Sequence, residues 1–270
     1  MTPDQWLALA SGVGAHALAV FVALLCALLL LMAFIAWVWE RQVLRRTQAA
    51  LSPPAVLLLK AAAGFTVVLG AASGFAEIAE QLGPDGVMAL ADQALSASIR
   101  AHVGVGTLQV FALLTHLGDP RVLTLLGVAV ALCLWWRGQR TLALGWVLAL
   151  GGNALLNPML KRVFERVRPV HDQGLAAELG WSFPSGHTSG ATVAYGMLAY
   201  VMLRTLPTAW HLPAVLGATA LAFTVGSSRV FLQVHFASDV VAGFASGTAW
   251  LMVCILSVGS SQRWRLMRAR

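Results

Sequence analysis

Apolar residues gather in seven long runs, at about residues 16–39, 55–79, 121–137, 141–160, 187–204, 213–230 and 237–258, with short polar stretches between them. A run of roughly 20 apolar residues is long enough to cross a bilayer as a helix. The pattern predicts an all-α, polytopic membrane helical bundle of about seven transmembrane helices. Residues 80–120 break the rhythm. Val87, Leu90, Ala94, Leu95, Ile99 and His102 follow a 3.6-residue period, as do Leu108, Phe111, Leu114 and Leu117, before Gly118 and Pro120. They read as two short helices lying in the membrane interface. A lateral gate for lipid is the alternative reading. No internal repeat, low-complexity tract or soluble domain is present.

Composition agrees with a bilayer. Of 270 residues, 59% are hydrophobic and 11% charged, less than half the roughly 25% of a soluble domain. The first run is too long for a signal peptide, lacks a preceding Lys or Arg, and is read as a span. Cys26, Cys133 and Cys254 lie inside apolar runs at spacings that suit neither zinc nor a disulfide framework, and read as small core residues.

Charge fixes an orientation. The net charge is +7, which in a soluble protein would suggest nucleic acid. Here the basic residues sit between apolar runs, so no nucleic-acid partner is expected. With the N-terminus outside, the inner loops, their helix ends and the tail collect Arg41, Arg45, Arg46, Lys60, Arg137, Arg140, Arg204, Arg263, Arg265, Arg268 and Arg270. The positive-inside rule is satisfied, with the C-terminus in the cytoplasm. Lys161, Arg162, Arg166, Arg168 and Arg229 fall on the outer side instead. Topology does not explain them, and ionisable groups at membrane depth point to function.

Three clusters meet at that outer face. In "KRVFERVRP", Lys161 and Arg168 are seven apart, near two helical turns, and can project from one helical face that Pro169 ends. In "FPSGHTSG", Ser185 reads as a helix N-cap, Gly186 admits close backbone approach, and His187 stands at a helix N-terminus that favours an anion. In "SRVFLQVHFASD", His235 and Asp239 are four apart and share a helical face, with Arg229 just upstream. Asp239 can accept the Nδ1–H of His235 and leave Nε2 available. Cations, a hydroxyl, a helix N-terminus and two histidines suit phosphoryl transfer.

Lys161-x6-Arg168-Pro169, Pro184-Ser185-Gly186-His187 and Ser228-Arg229-x5-His235-x3-Asp239 together resemble the three-part signature of the type-2 phosphatidic acid phosphatase superfamily, membrane lipid phosphatases related in their site to vanadium haloperoxidases. The resemblance spans about residues 55–258. It implies a six-helix phosphatase core there, an added N-terminal helix and cytoplasmic loop in 1–54, and a basic cytoplasmic tail in 259–270. It implies His235 as nucleophile, Asp239 as its orienting partner and His187 as proton donor. Lys161, Arg168, Ser185, the Gly186 backbone and Arg229 would bind phosphate. No metal and no other cofactor are implied.

Arg162 and Arg166 lie outside the signature and read as solvated or headgroup-facing charge. His16, His102, His116, His171 and His211 match nothing. The implied setting is a bacterial inner membrane, with the site facing the periplasm and a membrane lipid phosphate as partner. Undecaprenyl pyrophosphate is slightly favoured over phosphatidylglycerol phosphate, phosphatidic acid and lipid A phosphate. A lipid carrier using the same cationic pocket is the competing reading. A vanadate-dependent peroxidase is a third, disfavoured because those relatives are generally soluble. Oligomeric state is not legible.

Overall fold

The computed structural model describes residues 2–39, 41, 53–83, 86–169 and 179–268. Among them are ten α-helices and no strand. They are α1 (Pro3–Ala15), α2 (Ala17–Val38), α3 (Pro53–Glu80), α4 (Val87–His102), α5 (Val105–Leu114), α6 (Pro120–Trp136), α7 (Arg140–Phe164), α8 (Gly186–Thr205), α9 (His211–Phe231) and α10 (Ala237–Arg268). All seven apolar runs are helical. Five helices, α2, α3, α7, α9 and α10, are long and apolar enough to cross a membrane, and α4 with the segment 105–118 makes a sixth if that bent pair counts as one span.

The other two of the seven, α6 and α8, are shorter or less apolar than these five. Helix α6 has 17 residues, which is short for a span. Helix α8 is enclosed by α7, α9 and α10 and faces protein rather than lipid. It therefore carries small and polar residues, which let neighbouring backbones come close. A Cβ at Gly196 would lie 2.3 Å from Leu251 Cδ2, so any larger residue there would make Leu251 shift. Trp146 is fully buried below α8, and its indole N–H donates to Gly127 O at 2.8 Å.

Helix α1 was not legible as an element. Thr2 and Gln5 close a reciprocal capping box at its start. Gly14 permits close approach to α4, where Ser98 Oγ donates to Ser11 O at 2.7 Å. Helix α2 exposes its aliphatic side chains, as a lipid-facing helix must. Phe21 ties it to the bundle, 5.2 Å from Phe111 and 5.7 Å from Phe223. Cys254 is buried, but Cys26 and Cys133 are exposed on helix surfaces rather than in the core.

The 80–120 connection is packed into the bundle. Helices α4 and α5 meet at 117°, and Ile99, Leu108 and Phe111 are buried. Phe111 stacks on Phe231 of α9, with ring centroids 4.1 Å apart. A 3₁₀ turn, Thr115–Gly118, then leads to Asp119, whose side chain caps α6 by accepting from Arg121 N at 2.7 Å.

Candidate active site

All three clusters lie at one end of the bundle, where α7 and α9 end and α8 and α10 begin. Helix α7 stops at Phe164, because Glu165 takes a left-handed conformation (φ 44°) and its N–H closes onto Lys161 O at 3.0 Å. Lys161 and Arg168 are thus not two turns apart on one helix, as the spacing suggested. Lys161 lies on the last turn and Arg168 on the non-helical strand of chain beyond it. They meet on the same backbone. Lys161 Nζ donates to Trp181 O at 2.5 Å and Ser182 O at 3.3 Å, while Arg168 donates to Gly180 O at 2.9 Å and Trp181 O at 3.2 Å.

Ser185 caps α8 as expected, its Oγ accepting from Thr188 N at 3.4 Å and Thr188 Oγ1 at 2.8 Å. Its own N–H donates to Asp239 O at 3.0 Å, which joins the second cluster to the third. Asn157 of α7 holds the approach by donating to Pro184 O and Ser189 Oγ. A Cβ at Gly186 would lie 2.9 Å from Asn157 Oδ1, so the absence of a side chain lets Asn157 pack closely there. His187 is half-buried on the first turn of α8, set against Gly118, where a Cβ would come within 3.4 Å of its Cδ2.

His235 precedes α10 rather than lying on it, and the pair with Asp239 closes across the helix start. Phe236 N–H donates to Asp239 Oδ2 at 2.8 Å, and His235 Nδ1 stands 3.4 Å from the same oxygen. Ser182, which the sequence did not single out, completes the link. Its Oγ donates to Asp239 Oδ2 at 2.5 Å and lies 3.2 Å from His235 Nδ1. Arg168 Nη1 lies 3.1 Å from His235 Nε2. A guanidinium can only donate, so Nε2 is the acceptor and the proton sits on Nδ1. Burial pushes the His235 pKa down to about 3; Asp239 opposes the shift, and Arg168 and Lys161 add to it.

Arg229 is buried in the last turn of α9, with Nη1 donating to Thr115 Oγ1 at 2.7 Å. Its carbonyl accepts from Val234 N and His235 N, so it shapes the turn that presents His235.

Arg166 corrects an expectation. It is not solvated: its side chain is 10% exposed and bridges two buried carboxylates, Asp239 Oδ1 at 2.7 Å and Asp92 Oδ2 at 2.9 Å. Ser238 Oγ also donates to Asp92 and accepts from Arg166. Asp92 had left a readable trace, an acid on the apolar face of α4, three and seven residues before Leu95 and Ile99. Arg162 is exposed, as expected.

A helical membrane protein with a buried His–Ser–Asp relay beside clustered cations defines a class suited to phosphoryl chemistry. Comparison with known proteins is consistent with this and names the group. The family model described as "PAP2 superfamily" matches residues 140–263, which hold all three clusters. Phosphatidylglycerophosphatase B of Bacillus subtilis is 35% identical over 159 residues, 58% of this chain and 76% of that protein. A lipid A 1-phosphatase of Rhizobium johnstonii is 35% identical over 109 residues, 36% of this chain and 40% of that one. The crystal structure of a transmembrane PAP2-type phosphatidylglycerolphosphate phosphatase from Bacillus subtilis superposes with a TM-score of 0.64 at 31% identity, covering 69% of this chain and 93% of that chain. The chain belongs to the PAP2 superfamily and is an integral membrane protein.

Proposed function

We propose that the protein is a lipid phosphatase that cleaves a phosphate monoester or diphosphate of a membrane lipid through a phosphohistidine on His235. The observation that carries this reading is the orientation of His235. Its Nδ1 is tied to Ser182 and Asp239, and its Nε2 lone pair faces the Arg168 guanidinium. An imidazole held neutral and in one tautomer is ready to attack phosphorus.

The phosphate enters between Lys161, Arg168, Arg229 and the N-terminus of α8, with Ser185 Oγ and the Gly186 N–H as further ligands. Its oxygens replace Nε2 as the partner of Arg168. His235 Nε2 forms a bond to phosphorus as the bond to the lipid oxygen breaks, and His187 supplies the proton that the leaving oxygen needs. Asp239 stabilises the imidazolium character that develops on His235. Water, deprotonated by His187, then attacks phosphorus; the P–N bond breaks, and inorganic phosphate and neutral His235 are restored.

The two Bacillus subtilis relatives favour phosphatidylglycerophosphate over undecaprenyl pyrophosphate. The charge pattern supports a site on the periplasmic side of a bacterial inner membrane, with the N-terminus outside and the C-terminus in the cytoplasm. Residues 55–258 form the phosphatase core, with 1–54 added to it.

The test is phosphate release by the purified, detergent-solubilised protein on a panel of lipid phosphates with excess chelator. Release that survives chelation and is abolished in His235→Ala is expected. Binding of lipid without release would turn the reading toward a carrier.

A further inference from the structure

A guanidinium and a carboxylate often pair as two forks, through two parallel hydrogen bonds. Arg166 and Asp239 do not. Arg166 gives Asp239 one nitrogen, Nη1, which lies 2.7 Å from Oδ1. Its Nη2 is turned to Asp92 Oδ2 at 2.9 Å. Asp239 Oδ2 is thereby left to His235 Nδ1, the Ser182 hydroxyl and the Phe236 N–H.

Arg166 reaches the relay by two further routes. Its carbonyl accepts from Ser182 N–H at 2.7 Å, and its guanidinium lies over the Phe236 ring, 4.4 Å from the centroid. One arginine thus touches the carboxylate and two of the residues that donate to it. A small turn of this side chain changes what His235 meets.

Asp92 fixes that turn, and is itself fixed. It is buried on α4 and accepts from Ser238 N–H at 3.2 Å and from the Ser238 hydroxyl. The same hydroxyl oxygen accepts from Arg166 Nη1 at 2.6 Å. Helix α4 is held in turn by α1, through the Ser98–Ser11 hydrogen bond and the close approach at Gly14. The anchor therefore comes from outside residues 140–263, which match the family model. Without the Asp92 carboxylate, the guanidinium can swing Nη2 to Asp239 and take both of its oxygens. Oδ2 would then be shared with a cation, and the hold on the Nδ1–H of His235 would weaken.

We infer that Asp92 is a positioning residue for the reaction: it restricts Arg166 to one oxygen of Asp239 and so keeps the other for His235. The inference rests on the proposed phosphatase function. It adds a residue that acts on His235 through Arg166 and Asp239, from an element to which the sequence gave no chemical part.

The experiment compares the full-length wild type with Asp92→Asn, Arg166→Lys and the double variant in detergent. It measures kcat and KM on the lipid phosphate that the wild type cleaves fastest. It also reads the His235 tautomer in nitrogen-NMR spectra of histidine-labelled protein, with the signal assigned by its absence in His235→Gln. In Asp92→Asn, kcat is expected to fall about tenfold with KM nearly unchanged, the size of one charge-assisted hydrogen bond. The Nδ1–H tautomer should give way to a mixture. Arg166→Lys, a point charge without the fork, should lose kcat in the same way, and adding Asp92→Asn to it should cost little more. An unchanged tautomer in Asp92→Asn overturns the inference, whatever the rate. So does a raised KM with kcat intact, or losses that multiply in the double variant. A wild type that cleaves no lipid phosphate overturns the phosphatase reading instead, while the tautomer comparison still decides whether Asp92 positions His235.

Discussion

Arg166 Nη1 stands 2.7 Å from Asp239 Oδ1, at the one oxygen of that carboxylate which His235 and Ser182 do not use. The other end of the guanidinium is held by Asp92, on an element 74 residues away in sequence. The three side chains are 10%, 0% and 6% exposed, so the pair of acids depends on this arginine for its counter-charge. Replacing it with an apolar residue leaves two buried carboxylates facing each other. Arg166→Met is expected to lose about 3–5 kcal/mol of stability, as other broken buried pairs do. Thermal unfolding in detergent checks this. Asp92→Asn, which keeps the shape and removes one charge, should cost less.

Ser182 gives a finer test of the relay. Its hydroxyl donates to Asp239 and lies within reach of His235 Nδ1, so it supplements a direct contact that is itself long at 3.4 Å. In Ser182→Ala the imidazole keeps Asp239 but loses part of what fixes its tautomer. A fall of about tenfold in kcat with KM nearly unchanged is expected, equivalent to one net hydrogen bond in the transition state. Asp239→Asn should fall further, because it removes the charge as well. Equal losses in the two variants would show that Ser182 and Asp239 act as one unit in orienting His235.

The buried histidine also leaves a signature in stability against pH. Its folded pKa of about 3 lies below the ordinary histidine value of 6.5. Between these values the unfolded chain binds a proton that the folded protein does not. Stability therefore rises with pH across this window and falls as pH drops from 6.5 toward 3. The slope from this one group is at most about 1.4 kcal/mol per pH unit. Paired carboxylates act in the same sense, so the informative quantity is the difference between wild type and His235→Gln. The mutant should lose less stability on acidification from pH 7 to pH 4.5. Parallel curves would mean that His235 takes up its proton without unfolding.

What was legible divides along a physical line. Lys161, Arg168, Ser185, His187, Arg229, His235 and Asp239 stand out because charged and polar groups are scarce in an apolar chain and their spacing is local. The helical runs stand out for the same reason. What was missed depends on contacts between distant segments. The spacing of Lys161 and Arg168 fits a helix, but the left-handed turn at Glu165 ends it first, and nothing in a residue type announces that. Arg166 looks like any basic residue near a helix end until Asp92 is folded against it. Ser182 carries no motif, and its value comes from the two side chains its hydroxyl joins, His235 and Asp239. That α8 is covered by α7, α9 and α10 rather than by lipid was likewise not legible, because apolarity alone does not say which will cover a helix.

The last relationship ties the 80–120 connection to the site. Thr115, in the 3₁₀ turn before α6, accepts the Arg229 Nη1 hydrogen bond at 2.7 Å, and both residues are buried. Read from sequence, this stretch lay in the interface and had no chemical part. Here it supplies the acceptor for a buried cation whose carbonyl in turn holds the His235 turn. Thr115→Val keeps the volume and removes that acceptor, while the valine methyl brings none of its own. A loss of about 1–3 kcal/mol is expected, the cost of leaving part of a buried charged donor without this partner. Thr115→Ser, which restores the oxygen but not the methyl, should stay close to the wild type. If the valine and serine variants unfold alike, packing rather than the hydrogen bond holds the turn. If valine alone is destabilised, and also weakens inhibition by vanadate, then the connection positions Arg229 for the phosphate as well as for the fold.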